Sequence, residues 1–182
     1  GAELFQLFGK YRTSIIAYPK NGKVPWDRKK ANKFFEQRRK DRSKRRDHPE
    51  LRGVGERCVV GFGSSGGPPM MNVLYNNHYQ IVQSPGYVMI MAEMVHDARI
   101  IRLDGKHPPD NITPWLGDSV GHWDGNTLVV ETTNFNPQHT FRGGLRHFFA
   151  ITPNAIVTER FTRISKDQIL YRFYVDDPDI YS

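Results

Sequence analysis

The stretch Gly117-Asp-Ser-Val-Gly-His-Trp-Asp-Gly-Asn-Thr-Leu-Val-Val-Glu-Thr-Thr-Asn-Phe135 decides the fold. Its two halves alternate with period two, and Asp124-Gly125 between them is a strong signal for a tight hairpin of the type I′ kind. A two-residue loop there pairs Trp123 with Asn126. Counting outward sets His122 opposite Thr127, Val120 opposite Val129 and Asp118 opposite Glu131. Side chains alternate across a strand, so Asp118, Val120, His122, Thr127, Val129, Glu131 and Thr133 share one face, with Ser119, Gly121, Leu128 and Val130 on the other. Opposed Cβ atoms lie about 4.5 to 5.5 Å apart. Asp118 and Glu131 therefore repel unless that face is solvated, or unless a proton or a cation such as Arg99 or Arg160 lies with them.

The run before this hairpin repeats the theme. Residues 87–103 predict one long strand, with Val88, Ile90, Ala92, Met94, His96, Ala98 and Ile100 on one side and Met89, Met91, Glu93, Asp97 and Arg99 on the other. A bulge would swap the faces beyond it, so His96-Asp97 can present either residue inward. Charged groups on strands must be solvated, paired or given a task. His96, oriented by Glu93 or Asp97, has the equipment of an acid/base, although a lone histidine on an apolar face is also a common core residue. The candidate catalytic residues are thus His96, Glu131, Asp118, His122, Glu93 and Asp97. Tyr75, Asn77, Tyr79, Arg99, Trp123 and Arg160 are the candidate substrate-binding residues, and Glu159-Arg160 is a further charged pair inside a strand.

Further strands are expected over 11–18, 73–82, 119–123, 127–135, 155–164 and 168–176, linked in several places by short turns. The chain of 182 residues is expected to be one domain: an N-terminal strand and turn (1–26), a basic helical segment (27–52), a glycine-rich loop (53–69) and a β core (70–182). Sequential strands with tight turns make antiparallel meanders, and one helix cannot cover both faces of a parallel sheet. The expected fold is mainly β, an antiparallel meander closing into a small lipocalin-like β-barrel with one N-terminal basic helix. The segment Gly61-Phe62-Gly63-Ser64-Ser65-Gly66-Gly67-Pro68-Pro69 lacks the Gly-Lys-Ser/Thr ending of a phosphate loop and is expected to be a mobile loop over a binding site.

The net charge of +7 resides in the helical segment: residues 27–52 carry twelve Lys/Arg and five Asp/Glu, and the remainder of the chain is balanced. Such a cluster argues against a general nucleic-acid surface, which would interleave cations with aromatic residues on the strands. It reads first as a solvated helix lying across the domain, capped by Asp27 and ended by His48-Pro49. A contact with an anionic surface through residues 28–46 is the alternative. Cys58 is alone, so no intramolecular disulfide forms. His48, His78, His96, His107, His122, His139 and His147 show neither His-x-His nor His-Glu-x-x-His spacing, so no metal and no cofactor is expected. No run reaches the length of a membrane span.

The blocks Gly-Pro-Pro-Met (67–70), Tyr-Asn-Asn-His-Tyr-Gln-Ile-Val-Gln (75–83), Met-Val-His-Asp-Ala-Arg-Ile-Ile (94–101), the stretch 115–135 and Glu-Arg-Phe-Thr-Arg (159–163) resemble a large family of bacterial proteins, many of them exported. The resemblance implies export to the periplasm or beyond and brings no activity with it. It also implies that a Thr-x-Pro-Trp stretch follows the Asp-Pro-x-x-Tyr pattern, whereas the sequence here closes on Tyr181-Ser182. The stretch that opens on Gly1-Ala2 is not expected to be a signal peptide.

Two classes of function follow from these residues. One is a cofactor-independent enzyme that holds a small aromatic or alicyclic molecule in a barrel pocket and acts by general acid/base catalysis, as a lyase, isomerase, hydratase or cyclase does. The other is a lipocalin-like binding module in which the same groups only orient a ligand. A polyanion-binding interaction protein using the basic helix is a third expectation. The fold itself names no substrate and no oligomeric state.

Overall fold

A computed structural model describes residues 5–7, 9–12, 14–144 and 148–182. Its centre is a seven-stranded sheet, curled as a half-barrel. The strands are β3 (Tyr79–Ser84), β4 (Tyr87–Ala92), β5 (Ala98–Leu103), β6 (Asp118–Asp124), β7 (Thr127–Thr133), β10 (Ile156–Arg163) and β11 (Ile169–Asp176), in the order β11-β10-β7-β6-β5-β4-β3. Two small hairpins stand apart from it, β1 (Phe5–Leu7) with β2 (Lys10–Arg12), and β8 (Phe141–Gly143) with β9 (Phe148–Ala150). The strand expected over 11–18 does not extend past Arg12 into the described residues from Ser14 onward.

Two expectations about the sheet need correction. The strand order runs from β11 to β3 with no pairing between those end strands, so closure into a barrel is not what the described residues show. Nor is the sheet a pure meander, because β5 and β6 run parallel. Residues 104–117 join them, and Pro108, Pro109 and Pro114 cannot supply ladder donors, which suits a crossover returning along the sheet rather than a strand.

The single long strand over 87–103 is in fact a hairpin. Residues 93–97 turn the chain, with Val95 at φ 60° and His96 at φ 57°, and β4 then pairs antiparallel with β5, Met91 opposite Ala98. A β-branched residue with positive φ is a rare choice for a turn, so no glycine or asparagine marks the break in the sequence. Beyond it the faces exchange. Arg99 and Ile101 now lie with Val88 and Ile90, facing a core completed by Leu128, Val130 and Phe161.

The β6–β7 hairpin keeps the expected faces but not the expected register. Asp124 pairs with Thr127, so the loop is Gly125-Asn126, with Gly125 at φ 58° in the first central position. Asp118 therefore faces Thr133, Val120 faces Glu131 and His122 faces Val129. Moving the turn by one residue shifts the pairing by two. That preserves which side chains share a face, and His122 stays on the side of Glu131.

Helix α1 (Arg28–Ser43) starts where Asp27 Oδ1 accepts from the Lys29 and Lys30 N–H groups at 3.0 and 3.1 Å. Ala31 is its only buried residue, and its cations are exposed. Phe35 holds it down through the Trp26 ring, 5.5 Å away, which also meets Phe148 at 5.7 Å and Tyr181 at 5.1 Å. The glycine-rich segment is packed rather than draped over an opening. Ser64 N–H donates to Gly143 C=O at 2.9 Å, Arg142 Nε donates to Pro68 C=O at 3.1 Å, and Ser64 to Pro69 are buried.

Candidate functional site

β5 and β6 pair only through Ile101 with Ser119, Arg102 with Val120 and Leu103 with Gly121. Ahead of those pairs the two segments diverge. The gap is a cleft of about 390 Å³ whose lining includes Asp97, Ile100, Arg102, Trp115 and Asp118. That is the lower end of the range that small ligands occupy.

The glycine-rich segment builds one side of the cleft. Gly61 N–H donates to Asp97 Oδ2 at 2.7 Å. A Cβ on Gly66 would lie 3.0 Å from Asp97 Cβ, so the backbone comes this close only because no side chain intervenes. Burial pushes the Asp97 carboxyl above its ordinary value, and the Gly61 hydrogen bond opposes that only in part. Asp97 is thus a carboxyl that holds its proton more tightly than usual.

Asp118 stands on the other side with the opposite tendency. Burial favours its neutral form, but hydrogen bonds from Arg102 and His107 outweigh burial and hold it below the ordinary carboxylate value. Arg102 makes a two-pronged contact, Nη1 to Oδ1 and Nη2 to Oδ2, each 2.8 Å, and His107 Nδ1 donates to Oδ2 at 2.7 Å. The far ring nitrogen, His107 Nε2, is 3.4 Å from Glu131 Oε1. The group that stands between Asp118 and Glu131 is therefore the His107 ring, and the cation on Asp118 is Arg102, neither Arg99 nor Arg160. Because the two acids sit on opposite ring nitrogens, they do not converge on one point where an ion could bind.

His107 and Trp115 belong to the crossover, which the residues after β7 hold in place. Asn134 Nδ2 donates towards the carbonyls of Pro109 and Ile112 at 3.1 and 3.2 Å, and Asn136 Nδ2 towards that of Thr113 at 3.0 Å. His139 donates through Nδ1 to Trp115 C=O at 3.0 Å. Burial, with Arg142 nearby, lowers the His139 pKa to about 3, so this ring is a neutral strut.

The structure thus brings Asp97 and Asp118 to one cleft and sets Glu131 beside it through His107. The other sequence candidates are dispersed. His96 is exposed in the β4–β5 turn, six positions along the chain from Arg102, which lies level with Val120 and hence with Glu131. At about 3.3 Å per residue that places His96 far from Glu131. Glu93, also exposed, accepts from His78 Nδ1 at 2.7 Å, which lowers its pKa. His122 and Trp123 are exposed near the hairpin tip.

Tyr75 is exposed, and Asn77 staples its own loop by bonding Val73 N–H and C=O at 2.8 and 2.9 Å. Arg160 pairs with Asp124 at 2.7 Å. Arg99, by contrast, reaches the core side of the sheet. There its guanidinium grips Glu159, with Nη2 to Oε1 at 3.1 Å, and the Tyr171 hydroxyl donates to the same oxygen at 2.6 Å. The half-buried Tyr79 has its hydroxyl pKa raised by burial, and that hydroxyl has no hydrogen-bond partner in the protein. Glu159 and Arg160 are neighbours in sequence that serve opposite faces.

Arg102 and His107 were not among the sequence candidates. Arg102 ends a strand as any surface cation could, and His107 sits in a proline-rich connection whose return path along the sheet follows only from the parallel pairing. His147 lies outside the described residues, and among those described no helix is long and apolar enough to cross a membrane. No protein-family model matches the chain, and no curated protein or solved structure matches it either.

Proposed function

We propose that the protein is a cofactor-independent acid/base enzyme, binding a small molecule in the cleft between β5 and the 114–118 segment and exchanging a proton with it through Asp97. The observation that supports this reading is the presence of two carboxyl groups on one cleft with opposed environments, Asp97 half-buried against glycine backbone and Asp118 saturated by hydrogen bonds from Arg102 and His107. Environments that drive two titratable groups apart are how one site obtains a proton donor and a fixed negative charge. Asp97 protonated gives its proton to the bound molecule and recovers one as the product forms. Asp118 stays ionised and stabilises positive charge that develops nearby. Trp115, Pro114 and Leu116 supply an apolar wall suited to an aromatic or alicyclic body.

The test is solvent deuterium uptake across a panel of small aromatic and alicyclic carbonyl and alkene compounds in D₂O, read by mass spectrometry. At least one compound is expected to gain deuterium with the parent protein, unaffected by chelator and more slowly as pH rises through the Asp97 pKa. Uptake by no compound, or uptake that needs a divalent metal, contradicts the proposal.

A second reading is supported by the saturation of Asp118, both of whose oxygens are already taken. In it the cleft only binds, as a lipocalin-like pocket does, and the half-barrel would close around a ligand rather than act on it. Ligand binding without any uptake of deuterium distinguishes it.

A further inference from the structure

We propose that this cleft recognises a short extended peptide by pairing it with the unmated edge of β5, an inference that rests on the cleft being the functional site. Along an antiparallel strand, successive residues turn their backbone N–H and C=O alternately to the two neighbours. Asp97 C=O accepts from Ala92 N–H at 2.8 Å and Leu103 N–H donates to Gly86 C=O at 2.8 Å. Positions 97, 99, 101 and 103 therefore face β4, and Ala98, Ile100 and Arg102 face the other way.

On that other side the parallel ladder with β6 begins only at Ile101 and Ser119. A parallel ladder starting there engages Ile100 C=O and Arg102 N–H, and leaves Ile100 N–H with both polar groups of Ala98 facing the cleft. The segment opposite has turned away, fixed by Gly117 N–H donating to Pro114 C=O at 3.0 Å. Among the described residues nothing else bonds the free groups of Ala98 and Ile100.

Both residues line the cleft and are exposed, so a ligand can reach them. The edge presents donors and an acceptor in the strand repeat, which is the pattern that an added strand complements. Only residues 98–100 are free, and the wall carrying Trp115 faces them across about 390 Å³, so the occupant is a few residues long rather than a whole strand of another protein.

The experiment is a titration of ¹⁵N-labelled protein with acetyl-dialanine methylamide, and with the same compound methylated on its amide nitrogens. Amide shifts centred on Ala98 and Ile100 are expected, with binding weakened about tenfold by methylation because the ligand's donors are lost. The Arg160→Gln variant should bind the peptide as the parent does, since Arg160 pairs with Asp124 and takes no part in the cleft lining. If binding persists while no compound takes up deuterium, the acid/base reading fails and peptide recognition stands. Equal affinity for the methylated compound overturns the inference. So do shifts confined to β3 or β11, the two end strands of the sheet, and so does the absence of any shift.

Discussion

Asp97→Asn is expected to lower proton exchange with the bound substrate by about 10²-fold or more, the usual contribution of a positioned general acid, while leaving the fold intact. Asparagine keeps an oxygen to accept from Gly61 N–H, now 2.7 Å from Asp97 Oδ2, but has no proton to give at the pH values of interest. Stability should move the other way. The folded Asp97 pKa is raised, so its favourable contribution is fully present below the unfolded value and is lost as pH rises through the folded one. Above the raised pKa the buried carboxylate is a net cost, and there the variant should unfold at an equal or higher urea concentration than the parent. Loss of exchange together with loss of stability would mean that Asp97 merely anchors the glycine-rich segment.

Breaking the pair on the core side should have the largest structural effect. Arg99 and Glu159 are both almost wholly buried, and Tyr171, whose hydroxyl also accepts from Met70 N–H at 2.8 Å, ties them to the segment after Pro69. Glu159→Leu leaves a guanidinium without its counter-charge in the interior and is expected to cost about 3–5 kcal/mol. The double replacement Arg99→Met with Glu159→Leu removes both charges and should recover most of that loss, because apolar side chains of similar size often replace a buried ion pair at little cost. Chemical denaturation of the two variants checks this. Equal destabilisation of single and double variants would show that packing around Tyr171, not the unpaired charge, sets the loss.

How far the sequence is legible differs between the fold and the site. Alternation told which residues of β6 and β7 share a face, and that assignment survived a two-residue error of register because Asp124-Gly125 and Gly125-Asn126 are overlapping hairpin signals. The β4–β5 turn was hidden because Val95 and His96, not glycine, take the left-handed conformation there. That one concealed turn exchanged the faces of Arg99 and Ile100, moved His96 to the surface and set Asp97 against the glycine-rich segment.

The strands β8 and β9 are three residues each, too short for any alternation to register. Asp118, Glu131 and Asp97 could be suspected from sequence, since carboxyls on strands need a reason. Their link through His107 could not, because a histidine in a connection acquires its partner from topology, here the parallel pairing of β5 with β6 and the clamp of Asn134 on the crossover.

The most direct test of the cleft as an acid/base site is a carboxyl ¹³C NMR titration of Asp97 and Asp118 in the same sample. Asp97 is expected to titrate above the ordinary aspartate value of about 3.9, and Asp118 below it. Two carboxyls titrating together near the ordinary value, or Asp118 holding its proton longer than Asp97, would contradict the assignment of donor and fixed charge.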